Sequence, residues 1–418
     1  MVVSSVLIKN IGELVTLSPL AEQQRFTQLQ ASDLDCHRNA WLCCRAGKVH
    51  SFASGPIPEA LLSDPSLPQV DAEENLILPG FVDSHTHPVF CGNRSAEFRM
   101  RLDGMSYQEI AQKGGGIMAT VRSSRNASDE QLMDQTLKHL KNFLSYGVCT
   151  VEAKSGYGLS PEEELRHLKI LKEVRTKTKQ SIKVSCLALH AIPEEYNSTA
   201  SYVSAICREL LPDVAKEHLA DYVDAFIENG YFSSNECEPY FKKARELGLG
   251  IRIHADEFSD ANAAKTAAKW QAASADHLQF ASSEGLNEMS KSGVVACILP
   301  GTSLYTAIPF TSGRRLADAG CAVAIASDFN PGSCKLDNLP MLAILAGLHS
   351  KLTSWEVLAG ISIVPAFSLG LSKRKGALAE GFDADFSIQQ LKTLDDWFAD
   401  FGRTKPKEVW LSGMRQDL

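Results

Sequence analysis

Two histidines separated by one residue close an apolar run in LPGFVDSHTHP, residues 78–88. Alternate side chains of an extended strand point the same way, so His85 and His87 leave one strand end together. Two neutral imidazoles so placed supply half of a divalent metal site. An isolated HxH also arises as two polar residues leaving a strand, so the rest of the chain has to decide.

Four further groups follow apolar runs in the same way: His190 in LALHAIP, His254 in LGIRIHADE, His277 in SADHLQF and Asp328 in AVAIASDFNPGS. Polar side chains gathered around one point are costly to bury without a ligand, and a metal ion removes that cost. Some have a plainer alternative. His254 reads also as a core histidine satisfied by backbone, and Asp328 as a helix cap ahead of Asn330 and Pro331. Zinc takes three or four protein donors, so His277 is expected to hydrogen-bond water or substrate rather than the metal. Arg94, in CGNRSAEF, is either a solvated cation or a bidentate partner for a substrate carboxylate. Glu257, three residues after His254, is either a helix N-terminal acid or a carboxylate reaching the substrate. The glycine run QKGGGIMATVRSSR, residues 112–125, lacks the lysine and hydroxyl of a nucleotide loop and is expected to form a lid.

These groups need a scaffold that brings distant segments to one point. From residue 80 to about 370, short apolar runs alternate with amphipathic segments, the pattern of repeated βα units. Eight strands are expected near 80–85, 148–154, 182–190, 222–228, 249–254, 272–277, 293–299 and 321–327. Eight parallel strands with crossover helices close into a (β/α)8 barrel, whose strand C-termini converge on one mouth. Helices are expected from Pro161, with acids in its first turn, and from Asp129, ending near Gly147. The flanks carry strand-like runs (SVLIKN, AWLCCRAGKV, DADFSIQQ, KEVWLSG). The fold class is therefore α/β: a TIM-like barrel over 78–375 with a small β-sandwich-like domain built from both termini, 1–77 plus 376–418.

Composition narrows the classes of partner. The 418 residues are 44% apolar and 22% charged, with a net charge of -8, which leaves no excess of Lys and Arg to neutralise nucleic acid or an anionic membrane. Lys9 and Glu13 interrupt the first apolar stretch before a signal core or spanning helix is complete. Eleven cysteines without paired CxxC spacing point to a reducing cytoplasm.

Taken in order, LPGFVDSHTHPVFCGNR, RLDGMSYQEIAQKGGGI, AKSGYGL, LALHAIP, IHADEF, SDFNPGS and KGALAEGFDADFSI resemble the metal-dependent amidohydrolase superfamily over nearly the whole chain. The closer resemblance is to its imidazolone-hydrolysing branch in histidine breakdown. It implies His85, His87, His254 and Asp328 as ligands of one zinc or iron ion per subunit. Arg94, Tyr157, His190, Glu257, Asn330, Gly332 and Ser333 match positions that bind substrate or product, and His277 matches a histidine at the reacting centre. Lys154 matches a lysine that bridges two metals in dinuclear relatives, although one metal is implied here. The implied reaction is hydrolysis of the ring amide of 4-imidazolone-5-propanoate to N-formimidoyl-L-glutamate by metal-activated water, with Asp328, His277 and Glu257 as catalytic groups. The partner is a small-molecule substrate, with neither nucleic acid nor membrane, and the assembly a homodimer. A deaminase of the same superfamily and a metal-free scaffold are the competing readings.

Overall fold

The computed structural model describes residues 4–105, 109–110 and 113–418. The first five strands are β1 (Val6–Val15), β2 (Cys36–Arg45), β3 (Lys48–Ser54), β4 (Gln69–Asp71) and β5 (Leu76–Pro79). Eight follow within the expected barrel: β6 (Phe81–Thr86), β7 (Val148–Lys154), β8 (Ser181–Leu189), β9 (Tyr222–Ile227), β10 (Gly250–Ala255), β11 (Ser274–His277), β12 (Val295–Ile298) and β13 (Val323–Ile325). Three more, β14 (Phe386–Ile388), β15 (Glu408–Leu411) and β16 (Met414–Arg415), return to the first group.

The terminal strands form one mixed sheet in the order β16-β15-β14-β5-β1-β2-β3, with β4 beside β1. Strand β5 lies across the expected boundary at 77/78, because Pro79 pairs with Phe386 and Ile77 with Ile388. Apolar side chains alternate along β1, so that Ile8 and Leu42 join one cluster while Leu7, Trp41 and Cys43 join another. Asp383 ties this sheet to the preceding segment by ion pairs with Lys48, Arg374 and Lys375.

The second sheet runs β6 to β13 in chain order, and its neighbours pair in parallel. Every residue of β6, β7, β11, β12 and β13 is buried, as expected for parallel strands covered by helices. The barrel closes between its ends: Asp328 N–H donates to His85 O at 3.0 Å, His87 N–H to Phe329 O at 2.9 Å, and Thr86 bridges to Phe329.

The surrounding helices carry their expected end signals. The helix Pro161–Lys177 begins on Ser160, whose side chain accepts from Glu163 N–H, and has acids in its first turn and Arg175 and Lys177 in its last. The helix Asp129–Ser145 opens with a capping box at Ser128 and stops before Gly147, whose φ of 86° lies in the left-handed region. Of the expected lid, Gln112 and part of the preceding RLDGMSYQEIAQKGGGI segment lie outside the described residues. Its described part includes the helix Ile117–Asn126. Among the described residues no helix is long and apolar enough to cross a membrane.

Candidate metal centre and active-site pocket

Barrel strands usually fill their interior with branched apolar side chains. Here residues of four strands bring charge inside: Glu152 and Lys154 on β7, Asp224 on β9, Arg252 on β10 and Asp276 on β11, all buried. Arg252 donates to Ser84 O at 2.8 Å and lies 3.7 Å from Asp276. Lys154 Nζ reaches Asp224 at 2.7 Å and Glu152 at 3.0 Å. Burying so many charges is tolerable only because each is paired.

Above this layer the four expected ligands meet. His85 Nε2 and His87 Nε2 are 3.3 Å apart, and His254 Nε2 is 3.4 Å from His87 Nε2. Asp328 Oδ1 lies 3.4 Å from His85 Nε2 and 3.3 Å from His87 Nε2. Tetrahedral bonds of about 2.0–2.1 Å place neighbouring donors about 3.3–3.4 Å apart, a spacing met by His85, His87 and Asp328, which form one group able to hold an ion, while His85, His254 and His277 form a second that shares His85. The opposite ring nitrogens are held by carboxylates: His85 Nδ1–H donates to Asp276 at 2.7 Å and His254 Nδ1–H to Asp224 at 3.1 Å. That pairing turns both Nε2 atoms toward the common point. Burial pushes His87, His190, His254 and His277 below the ordinary imidazole range, which favours the neutral form that a donor nitrogen needs, whereas at His85 the Asp276 and Asp328 carboxylates outweigh burial and Lys154 and raise it to about 9.

Asp328 caps no helix: its Oδ2 accepts from Thr302 Oγ, and the next helix, Leu339–His349, is capped by Asn338. Burial works against ionisation of Asp328, yet its hydrogen bonds with His85 and His87 hold it well below the usual carboxyl range. Its φ of 51°, and 81° at His277, place both in the left-handed region, a strain that clusters at functional sites. His277 is fully enclosed, with Nδ1 unpartnered and 3.6 Å from Glu257.

Two neighbouring acids divide the two readings of Glu257. Asp256 takes the backbone N–H groups of Ala261, Ala263 and Ala264 and so serves the helix Ala263–Lys269. Glu257 instead lines a cavity of about 590 Å³ shared with Arg94, Tyr157, Asn330 and Ser333. Burial, with the Asp328 and Glu228 carboxylates nearby, raises Glu257 well above the ordinary carboxyl range.

Arg94 is buried, which overturns its reading as a solvated cation. Its Nε and Nη2 donate to the two oxygens of Glu97 at 3.0 and 2.9 Å, and Gly332 packs against it so closely that a Cβ there would lie 2.0 Å from Nη1. His190 Nδ1–H donates to Gly156 O at 2.9 Å, leaving Nε2 as an acceptor, and its ring stacks on His87. Tyr157 packs beside both rings.

Asn330 builds its own loop. Its Nδ2 donates to Asp328 O and Ser333 Oγ, each at 2.8 Å, while Oδ1 accepts from Gly332 N–H and Ser333 N–H at 2.9 and 2.7 Å. Those four bonds fill the amide's capacity. Asp224, Asp276 and Thr302 are site residues that sequence reasoning missed. The two aspartates had a readable signal, since an acid inside a strand buried on both faces needs a partner.

The chain belongs to the amidohydrolase family, whose model matches residues 76–415. Within it the chain groups with the imidazolonepropionases. That of Caldanaerobacter subterraneus subsp. tengcongensis is 37% identical over 365 residues, 87% of each chain. That of Christiangramia forsetii is 34% identical over 414 residues, 98% of this chain and 99% of its own. The fold extends further, to guanine deaminase of E. coli, with a TM-score of 0.75 at 14% identity covering 99% of both chains.

Proposed function

We propose that the protein hydrolyses the ring amide C–N bond of 4-imidazolone-5-propanoate to N-formimidoyl-L-glutamate in histidine degradation. One observation carries this reading. The cavity lined by Tyr157, which packs against His87, and by Asn330, which bonds Asp328 O, is lined also by a guanidinium, Arg94, and a carboxyl group, Glu257, which suit a propanoate tail and ring nitrogens respectively. The full-length similarity to imidazolonepropionases supports it.

His85, His87, His254 and Asp328 hold a single zinc or iron ion, since histidine and aspartate donors suit either. When bound, that ion would acidify a water into the neutral range and polarise the ring carbonyl. Arg94, braced by Glu97, binds the propanoate, with Tyr157 and the Gly332–Ser333 turn around it. Asn330 contributes by holding that turn in shape. The Nε2 of neutral His190 accepts a ring N–H, and Glu257 holds a ring nitrogen. Asp328 takes the water proton and returns it to the departing nitrogen, with Thr302 fixing its carboxylate plane. His277 donates a ring N–H to the carbonyl oxygen as negative charge develops there.

The same reading includes a homodimer in the cytoplasm acting on a small molecule, apart from nucleic acid and membranes. The eleven free cysteines support a reducing compartment. The test is to incubate zinc-loaded and iron-loaded protein with 4-imidazolone-5-propanoate and follow ring opening, with guanine in a parallel assay. Ring opening is expected. Deamination of guanine without ring opening would replace the reading with that of a deaminase.

A further inference from the structure

Lys154 ends β7 inside the barrel, with no part of its side chain reaching solvent. Its Nζ donates to Asp224 Oδ2 at 2.7 Å and to Glu152 Oε1 at 3.0 Å, and lies 3.8 Å from Asp276 Oδ2. Asp224 thereby divides its two oxygens. Oδ2 takes the lysine, and Oδ1 takes His254 Nδ1–H at 3.1 Å. The far nitrogen of the same imidazole, Nε2, lies 3.4 Å from His87 Nε2 within the donor cage.

We propose that Lys154 is a positioning residue for the metal centre: its ammonium fixes the Asp224 carboxylate, which fixes the ring of His254 with Nε2 toward the ion. The inference rests on the reading of His85, His87, His254 and Asp328 as ligands. Two effects of the lysine oppose each other. A buried cation beneath the site repels a second cation, so Coulomb's law alone makes removal of Lys154 tighten metal binding. An unanchored Asp224, with one oxygen stripped of its donor in a dry interior, loses the geometry that orients the imidazole, and removal then weakens binding. The short contacts to both oxygens of Asp224 favour the second effect, because orientation is set through hydrogen bonds of 2.7 and 3.1 Å.

The experiment follows zinc loss from zinc-loaded protein to a chromophoric chelator, for wild type, Lys154→Met, Asp224→Asn and the double variant, with folding checked by circular dichroism. Lys154→Met is expected to weaken zinc retention by about 10- to 100-fold, the range for residues that orient a ligand. The double variant is expected to lose little beyond Asp224→Asn, since the two act in one chain of contacts. Retention in Lys154→Met equal to or tighter than wild type overturns the proposal, as does a double variant whose loss is the product of the two single losses. If Lys154→Met does not fold, Asp224→Asn against the double variant decides on the same criterion. Wild type that binds no zinc overturns the ligand reading and this one with it. Wild type that binds zinc beside an unaltered Lys154→Met overturns this one alone.

Discussion

The backbone of Gly332 lies against the guanidinium of Arg94, so that a Cβ at Gly332 would stand 2.0 Å from Nη1 and 2.3 Å from Cζ. The turn after β13 thus forms one wall of the seat in which the Arg94 guanidinium rests, and Glu97 forms another. A cation held on two sides is oriented before substrate arrives, which lowers the ordering cost of binding.

Gly332→Ala is expected to displace Arg94 and raise KM for the propanoate substrate, with zinc content unchanged. In an Arg94→Ala background the same change should add little, because the clash partner is gone. Steady-state kinetics on the two single variants and the double variant check this; an unaltered KM in Gly332→Ala would show that the turn does not seat Arg94.

Arg94→Ala is expected to weaken capture of substrate by about 1.5–3 kcal/mol, the range for hydrogen bonds to a charged group. Metal should stay bound, since Arg94 is not in the donor cage. Elemental analysis alongside kcat/KM separates the two effects, and kinetics equal to wild type would exclude Arg94 as the carboxylate site.

His254→Ala should lose zinc and activity together. It removes one donor of the cage and leaves Asp224 without the ring that occupies its Oδ1. An active variant lacking metal would show that the reaction does not run through this centre.

Asp383 gives a pH signature in the ion pairs of the terminal sheet. Burial raises its pKa, but Lys48, Lys375 and Arg374 outweigh burial and bring it down to about 2 from 3.8. A depressed folded-state value stabilises the fold above the unfolded value, and that stability is lost as pH falls through the folded one. At 1.36 kcal/mol per unit this amounts to about 2 kcal/mol. Asp383→Asn should therefore be less stable than wild type at pH 7 by about that amount, with the gap closing between about pH 4 and pH 2. Denaturant melts across that range test it, and a gap independent of pH would show that the ion pairs contribute nothing.

Much of the fold was readable because each barrel strand is a short apolar run flanked by helical periodicity. All eight expected strands overlap those observed, and the helices expected from Asp129 and Pro161 start at those residues. The histidines were readable as a group for the same reason: each follows an apolar run whose C-terminal end must reach the barrel mouth. The division of labour among adjacent polar residues was not. Asp256 and Glu257 are neighbours of the same charge, and only the path of the following loop makes the first a helix anchor and the second a pocket wall. Asn330, expected at the substrate, has its amide committed to its own turn.

The order of amino acids alone determined the class of scaffold, the residue types at the barrel mouth and the chemistry those types permit, because periodicity and local propensity act over a few residues. Which atom faces which was decided only in the closed barrel. His85 meets Asp276 across 191 positions of sequence, and Lys154 meets Asp224 across 70. Contacts of that kind depend on strand register and on the closure of β13 against β6. They are non-local, so nothing in the flanking sequence of either partner specifies them.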